Sequence, residues 1–281
     1  MTTVVKRRTR FPGGRVLSDG HVLYWWVEIL AIVIFYFVYS AIRNVHGGVS
    51  VTGQIDCTTM ASQLPAHVCD HAHQIMTAEH WLGIYHEETI QQWAMHFRPL
   101  IIGANYFYGS FHFVVTIFAG VFLFRRWSDD YPRFRNALGI STAVALIGFT
   151  FYPLAPPRMF PASFTDTLLK DPAFWSFNSG AAAKVSNQFA AMPSVHICWA
   201  LWCAVALVPR LKSRGWRIVA ALYPVMTLIV IVITANHYFL DAAGGVAIFL
   251  IGWFLSGVFT RAGRGKPIAA PAEEAYNLPD S

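Results

Sequence analysis

The sequence predicts an all-α integral membrane protein with six transmembrane helices, on three observations. Of its 281 residues 55% are hydrophobic and 13% charged, too apolar a composition to keep the surface of an ordinary soluble domain wet. Six continuous apolar runs, near 22–42, 99–124, 136–153, 193–209, 217–235 and 240–260, approach or exceed the ~20 residues that cross roughly 30 Å of hydrocarbon. The basic residues, finally, alternate by loop. Lys6, Arg7, Arg8, Arg10 and Arg15, then Arg125, Arg126, Arg133 and Arg135, then Arg210, Lys212, Arg214 and Arg217, then Arg261, Arg264 and Lys266 make 16 of the 21 Lys and Arg. Arg43, Arg98, Arg158, Lys170 and Lys184 are left for the other side. By the positive-inside rule both termini are then cytoplasmic, and two long loops, 43–98 and 154–192, are external.

Taken in order, the first run follows a basic stretch as a signal peptide would, but at about 21 residues it exceeds the ~7–15 of a signal core and reads as a retained helix. Glu28, near its inner end, reads as an interfacial residue reaching water. In the first loop, Cys57 and Cys69 form a disulfide if that side is oxidising. "HVCDHAH" offers His67, Cys69, Asp70, His71 and His73, but the spacings match no zinc frame and a disulfide removes Cys69, so a polar loop is preferred to a metal site. "EHWLGIYHEETIQQWAMHF" reads as a helix in the headgroup layer anchored by Trp81, Tyr85 and Trp93, with packing over the helix ends as the alternative. In the second run, His112 with Tyr108 and Asn105 one and two turns outward suggests a histidine hydrogen-bonded between helices, or a wall of a headgroup pocket. Cys198 and Cys203 read as apolar packing. The runs lack the alternation of a membrane β-barrel. A net charge of +6 dispersed over four loops argues against a nucleic-acid partner. The organisation expected is 1–98 as N-terminus, first helix and loop, 99–260 as a catalytic core, and 261–281 as a disordered cytoplasmic tail.

Three helix ends carry chemistry. "MPSVH" puts Pro193 at a first helical position, with the N–H groups of Ser194 and its neighbours free to bind an anion and His196 one turn in. In "NHYFLD", His237 and Asp241 are four apart, so on a helix they share a face, and the Asp can orient the imidazole as in a triad. In "FYPLAPPRMFP", prolines stop the third helix and hold Arg158, whose planar fork suits a phosphoryl group. All three ends fall on one side of the membrane in this topology.

These elements resemble the membrane-embedded type 2 phosphatidic acid phosphatase (PAP2) superfamily, whose signature of an Arg, Pro-Ser-x-His and His-x-x-x-Asp is met by Arg158, Pro193 to His196, and His237 to Asp241. The wording "PLAPPRM", "MPSVH" and "HYFLD" looks most like the branch of inositol phosphorylceramide synthases. The resemblance covers about 99–260. It implies a six-helix core and a lipid phosphatase or phosphotransferase acting through a phosphohistidine on His237, with Asp241 orienting it, His196 as acid and base, Arg158 and Ser194 holding the phosphoryl oxygens, and no metal or cofactor. The implied partners are the bilayer, a lipid phosphate or phospholipid, and an acceptor, either water or an alcohol. The pattern's Lys seven residues before the Arg is Phe151 here, and its Ser-Arg pair before the last His is Val230 and Ile231. Arg98, Lys184 and Asn236 are candidate substrate-binding residues, the first two as replacements for a missing cation. A non-catalytic lipid binder or transporter with a degenerate fold is the competing expectation.

Overall fold

The computed structural model describes residues 13–47, 55–171 and 188–263, so Lys184 and most of the predicted tail lie outside the described residues. A short antiparallel hairpin comes first, β1 Gly14–Val16 paired with β2 Val22–Tyr24. Its turn contains Gly20 at a φ of 88°, a left-handed conformation that glycine adopts at no steric cost. The first predicted run therefore starts late. Residues 22–24 form a strand, and α1 spans Trp25–Gly47.

The chain is otherwise mostly helical. Among the described residues, four helices are long and apolar enough to cross a membrane: α4 Arg98–Arg126, α5 Tyr131–Phe151, α8 Arg214–Ile233 and α9 Phe239–Gly263, the last counted to Thr260. Short of the six predicted, the other two runs form shorter apolar helices, Trp25–Val38 within α1 and α7 Val195–Leu207. At 13 residues α7 is about 20 Å long, less than the roughly 30 Å of hydrocarbon. The shortfall has a physical origin. The chain just before α7 is irregular, and Phe189, Ala191, Pro193 and Ser194 are buried in protein rather than wound into helix. Irregular backbone is tolerated in such a place because the protein supplies its hydrogen bonds.

The helices pack with α9 against α5 and α7, and α7 against α4 and α8, around a core that includes Leu123, Phe134, Ala145, Trp202, Ala206 and Phe249. The helices come close at Gly252, where a Cβ would overlap Ser141 and the Ala137 carbonyl. Small residues there let the backbones of α5 and α9 meet. Helix α1 lies at the side, its Ile32 and Phe37 exposed, tied to α5 through Glu28. Contrary to expectation Glu28 does not reach water. It is buried and accepts hydrogen bonds from Arg135 Nη1 (2.8 Å) and the Tyr131 hydroxyl (3.2 Å).

A second apolar cluster covers one end of the bundle, where Val68, Cys69 and Ala72 of α2 (Val68–Leu82) meet Leu154, Met159, Phe160, Ala235 and Tyr238. The structure joins Cys57 to Cys69, and the Cys57 N–H donates to the Met159 carbonyl (2.9 Å). The stretch expected as one interfacial helix is two: α2 ends at Gly83, left-handed at φ 69°, and α3 runs from Glu87 to Met95. Trp81 and Trp93 project outward, 86% and 61% exposed, whereas Tyr85 turns in, its hydroxyl toward Met76 Sδ (3.8 Å). The histidines of "HVCDHAH" take different partners. His67 faces Asp70, His71 stacks on Tyr152 with its Nδ1 donating to the Pro153 carbonyl (2.8 Å), and His73 meets the edge of Phe160. Among the described residues no three His, Cys, Asp or Glu are grouped to hold a metal ion.

Candidate active site

Under that cap the ends of α7, α8 and α9 converge. Helix α8 stops at Ile233 in a motif of two nested bonds: the Ala235 N–H donates to the Val232 carbonyl (2.8 Å) and the Asn236 N–H to the Ile231 carbonyl (3.0 Å). The turning residue, Ala235, has a φ of 51°, a position usually given to glycine. Its cost is offset by what the turn arranges. The Ala235 carbonyl accepts the Arg158 N–H (2.9 Å), and Asn236, fixed by the Thr234 hydroxyl (2.9 Å), accepts Arg158 Nε (3.0 Å). Arg158 is buried, its Nη1 facing Asp166 at 3.4 Å, and Asp166 in turn caps the short helix α6 Thr167–Lys170.

His237 follows directly. Its Nδ1 lies 2.9 Å from the Ala191 carbonyl and 3.3 Å from Asp241 Oδ2. A carbonyl only accepts, so Nδ1 carries the proton and Nε2 the lone pair. That Nε2 is buried and meets no protein donor or acceptor. The pair does not share a helix face as predicted, because α9 begins only at Phe239. Asp241 is its third residue and reaches back to the Tyr238 N–H (2.9 Å), the return half of a capping box, and the imidazole sits on the same oxygen.

Serine 194 is the N-cap of α7 rather than its second residue, so Pro193 precedes the helix instead of opening it. The Ser194 N–H is not free for an anion. It donates to the Asp241 carbonyl at 2.9 Å and stitches the start of α7 to α9. The fully buried hydroxyl has no protein partner. This contact requires glycine at 245, where a Cβ would run into the Ser194 carbonyl oxygen.

His196, one turn in, meets His237 edge to face at 5.4 Å between ring centroids and is stacked on Tyr108 at 4.5 Å. His112 presents its edge to His196, also at 4.5 Å. His112 Nδ1 bonds the Tyr108 carbonyl of its own helix (3.0 Å), a corrected partner for a side chain expected to hydrogen-bond another helix. Asn105 does bridge elements, to the Thr167 and Asp171 carbonyls (both 2.9 Å). Arg98, at the mouth of α4, forms a two-armed pair with Asp171, at 2.7 Å from Nη2 and 3.1 Å from Nε.

The structure therefore gathers His237, Asp241, His196, Ser194, Arg158 and Asn236, while Arg98 is engaged by Asp171. The positions where the family pattern has cations carry none. Phe151 points away, 79% exposed, and Val230 and Ile231 are buried apolar residues. Sequence reasoning missed Asp166, the Tyr108 ring against His196, and Glu79 and Glu87. An Asp before a short apolar turn is an N-cap signal that could have revealed Asp166. The others depend on contacts across the fold. Compared with known proteins, the chain matches the family model described as PAP2 superfamily over residues 73–255, and no curated protein or solved structure matches it significantly.

Proposed function

The chain belongs to the PAP2 superfamily, a membership that suggests a membrane phosphatase-type function, and on that premise we propose a lipid phosphatase or phosphotransferase that works through a phosphohistidine on His237. The observation that carries this reading is the His237 ring: Nδ1–H is held by Ala191 and Asp241, Nε2 meets no protein partner, and the His196 ring lies 5.4 Å away between centroids. In the first step Nε2 attacks phosphorus, the P–N bond forms, the P–O bond to the lipid breaks, and His196 gives its proton to the departing oxygen. Asp241 stabilises the cationic ring. In the second step His196 takes a proton from water or an alcohol, whose oxygen attacks phosphorus and releases His237. Arg158, aimed by Asn236 and Asp166, and the Ser194 hydroxyl hold the phosphoryl oxygens. Lys184 and Arg98 are candidates for a further substrate contact.

The substrate is amphiphilic and enters sideways from the bilayer, from the external leaflet if α1 and α7 complete six spans with cytoplasmic termini. An acceptor alcohol, as in the inositol phosphorylceramide synthase-like branch, is the finer form of the same proposal. One observation favours a second reading, a non-catalytic lipid binder: apolar residues stand at the positions of two pattern cations.

Phosphate release from a panel of lipid phosphates by the purified protein, with and without alcohols and with His237→Ala alongside, separates the readings. Release, or a new phospholipid, from wild type alone supports the enzyme. Equal activity in the variant contradicts the mechanism, and lipid binding without turnover in either protein supports the binder.

A further inference from the structure

Behind His237 lies a feature the mechanism does not use. Glu79 of α2 and Glu87 of α3 are both fully buried, in a stretch whose tryptophans face outward. Glu79 Oε1 accepts the Leu240 N–H (2.6 Å), and Glu87 Oε1 accepts the Phe239 N–H (3.0 Å) while its Oε2 takes the His86 N–H (3.0 Å). With Asp241 on the Tyr238 N–H, three successive N–H groups at the start of α9 each end on a carboxyl, and the three carboxyls come from three different helices. A helix start leaves such donors unpaired at the positive end of its dipole, and one capping side chain normally serves. Here the first loop supplies two more.

Neighbouring buried carboxyls do not both ionise cheaply. Burial, then a hydrogen bond with Glu87, pushes Glu79 up to about 9, so Glu79 holds a proton at neutral pH. Its Oε2 is buried with no hydrogen-bond partner, which an ionised carboxylate would not tolerate. The other titratable groups facing Glu79 are Glu87 from α3, Asp241 from α9, and Tyr85 and Tyr238 from the turns before them; burial raises both tyrosines, which stay neutral. A second negative charge here would stand beside Asp241 and oppose an anionic substrate.

We propose that Glu79 and Glu87 are positioning residues that fasten the first turn of α9, so that Asp241 keeps His237 in the Nδ1–H form with Nε2 free. The inference rests on the reading of His237 as nucleophile, but its test does not need a substrate.

Purified wild type, Glu79→Gln, Glu79→Ala and Glu87→Gln are compared by nitrogen NMR of labelled histidine, with His237 assigned by its loss in His237→Ala, and by pH profiles of phosphate release. Glutamine at 79 can accept from Leu240 and carries no charge at any pH, so E79Q is expected to keep the Nδ1–H form and to lack the alkaline fall in kcat expected of wild type near pH 9. E79A and E87Q are expected to show mixed tautomers and to lose about 10²-fold in kcat, the scale of a slight misplacement of reacting groups. An E79A protein melting like wild type with unchanged tautomer and kcat overturns the proposal. So does an E79Q protein with mixed tautomers, a comparison that stands if E79A does not fold. Predicted tautomers without phosphate release from wild type on any substrate would sink the enzymatic reading and leave the positioning role intact.

Discussion

His196 and His237 hold different halves of the proposed chemistry, and the difference is measurable. If His196 protonates the departing oxygen, its removal matters only where that oxygen is a poor leaving group. His196→Ala is expected to lower kcat on an alkyl phosphate by about 10²–10⁴-fold and on a nitrophenyl phosphate far less, whereas His237→Ala abolishes both. Glu79 makes a second prediction. Its folded value, about 9, stands above the ordinary carboxyl value of 4.5, so the folded state binds the proton more tightly. Its stabilisation is full below about 4.5, declines as pH rises, and is gone above about 9. Relative to wild type, the melting temperature of E79Q in detergent is expected to improve steadily across that window. A constant difference would contradict a protonated Glu79. At this scale the site was half legible. His237 and Asp241, four residues apart, could be read as partners, and Arg158 stood out among its prolines. The Glu79 contact to Leu240 spans 161 residues, and no local pattern marks Glu79 as more than one polar position among aromatics.

Among the elements, the apolar runs predicted helices well where both faces meet lipid or core, as in α4, α5, α8 and α9. They misread the ends. Residues 22–24 are apolar and Pro193-Ser194 leads straight into an apolar run, but hydrogen bonds outside any helix claim residues 22–24, to a hairpin partner, and Ser194, to the Asp241 carbonyl. "GIYHEE" broke a predicted helix for a plainer reason, a left-handed glycine at 83. The contact of α7 with α9 is the element on which the site depends, and Gly245 tests it. A methyl there must push the Ser194 carbonyl away, together with the hydroxyl and His196 that follow. Gly245→Ala is expected to cost more in kcat than in melting temperature, because α5, α7 and α8 still pack. A fall in both alike would mean that the contact merely holds the bundle together.

For the whole molecule, the gradient from polar cap to apolar bundle was the most legible feature, because bilayer solvation acts on every residue of a span. Less legible was that the first loop is part of the site's architecture: it covers the helix ends through the Cys57–Cys69 link and α2, and the family match itself begins at His73. The proposed topology predicts that single cysteines at Thr58 and Lys212, each in a background without native thiols, are labelled from opposite sides of sealed cells by an impermeant reagent, Thr58 from outside. Labelling of both from one side would refute it. The central claim is a covalent one, and trapping tests it most directly. Wild type quenched during turnover of a phosphorus-labelled lipid phosphate is predicted to carry an acid-labile, base-stable label on His237, absent from His237→Ala. Turnover with no label, or with the label on another residue, would contradict the account.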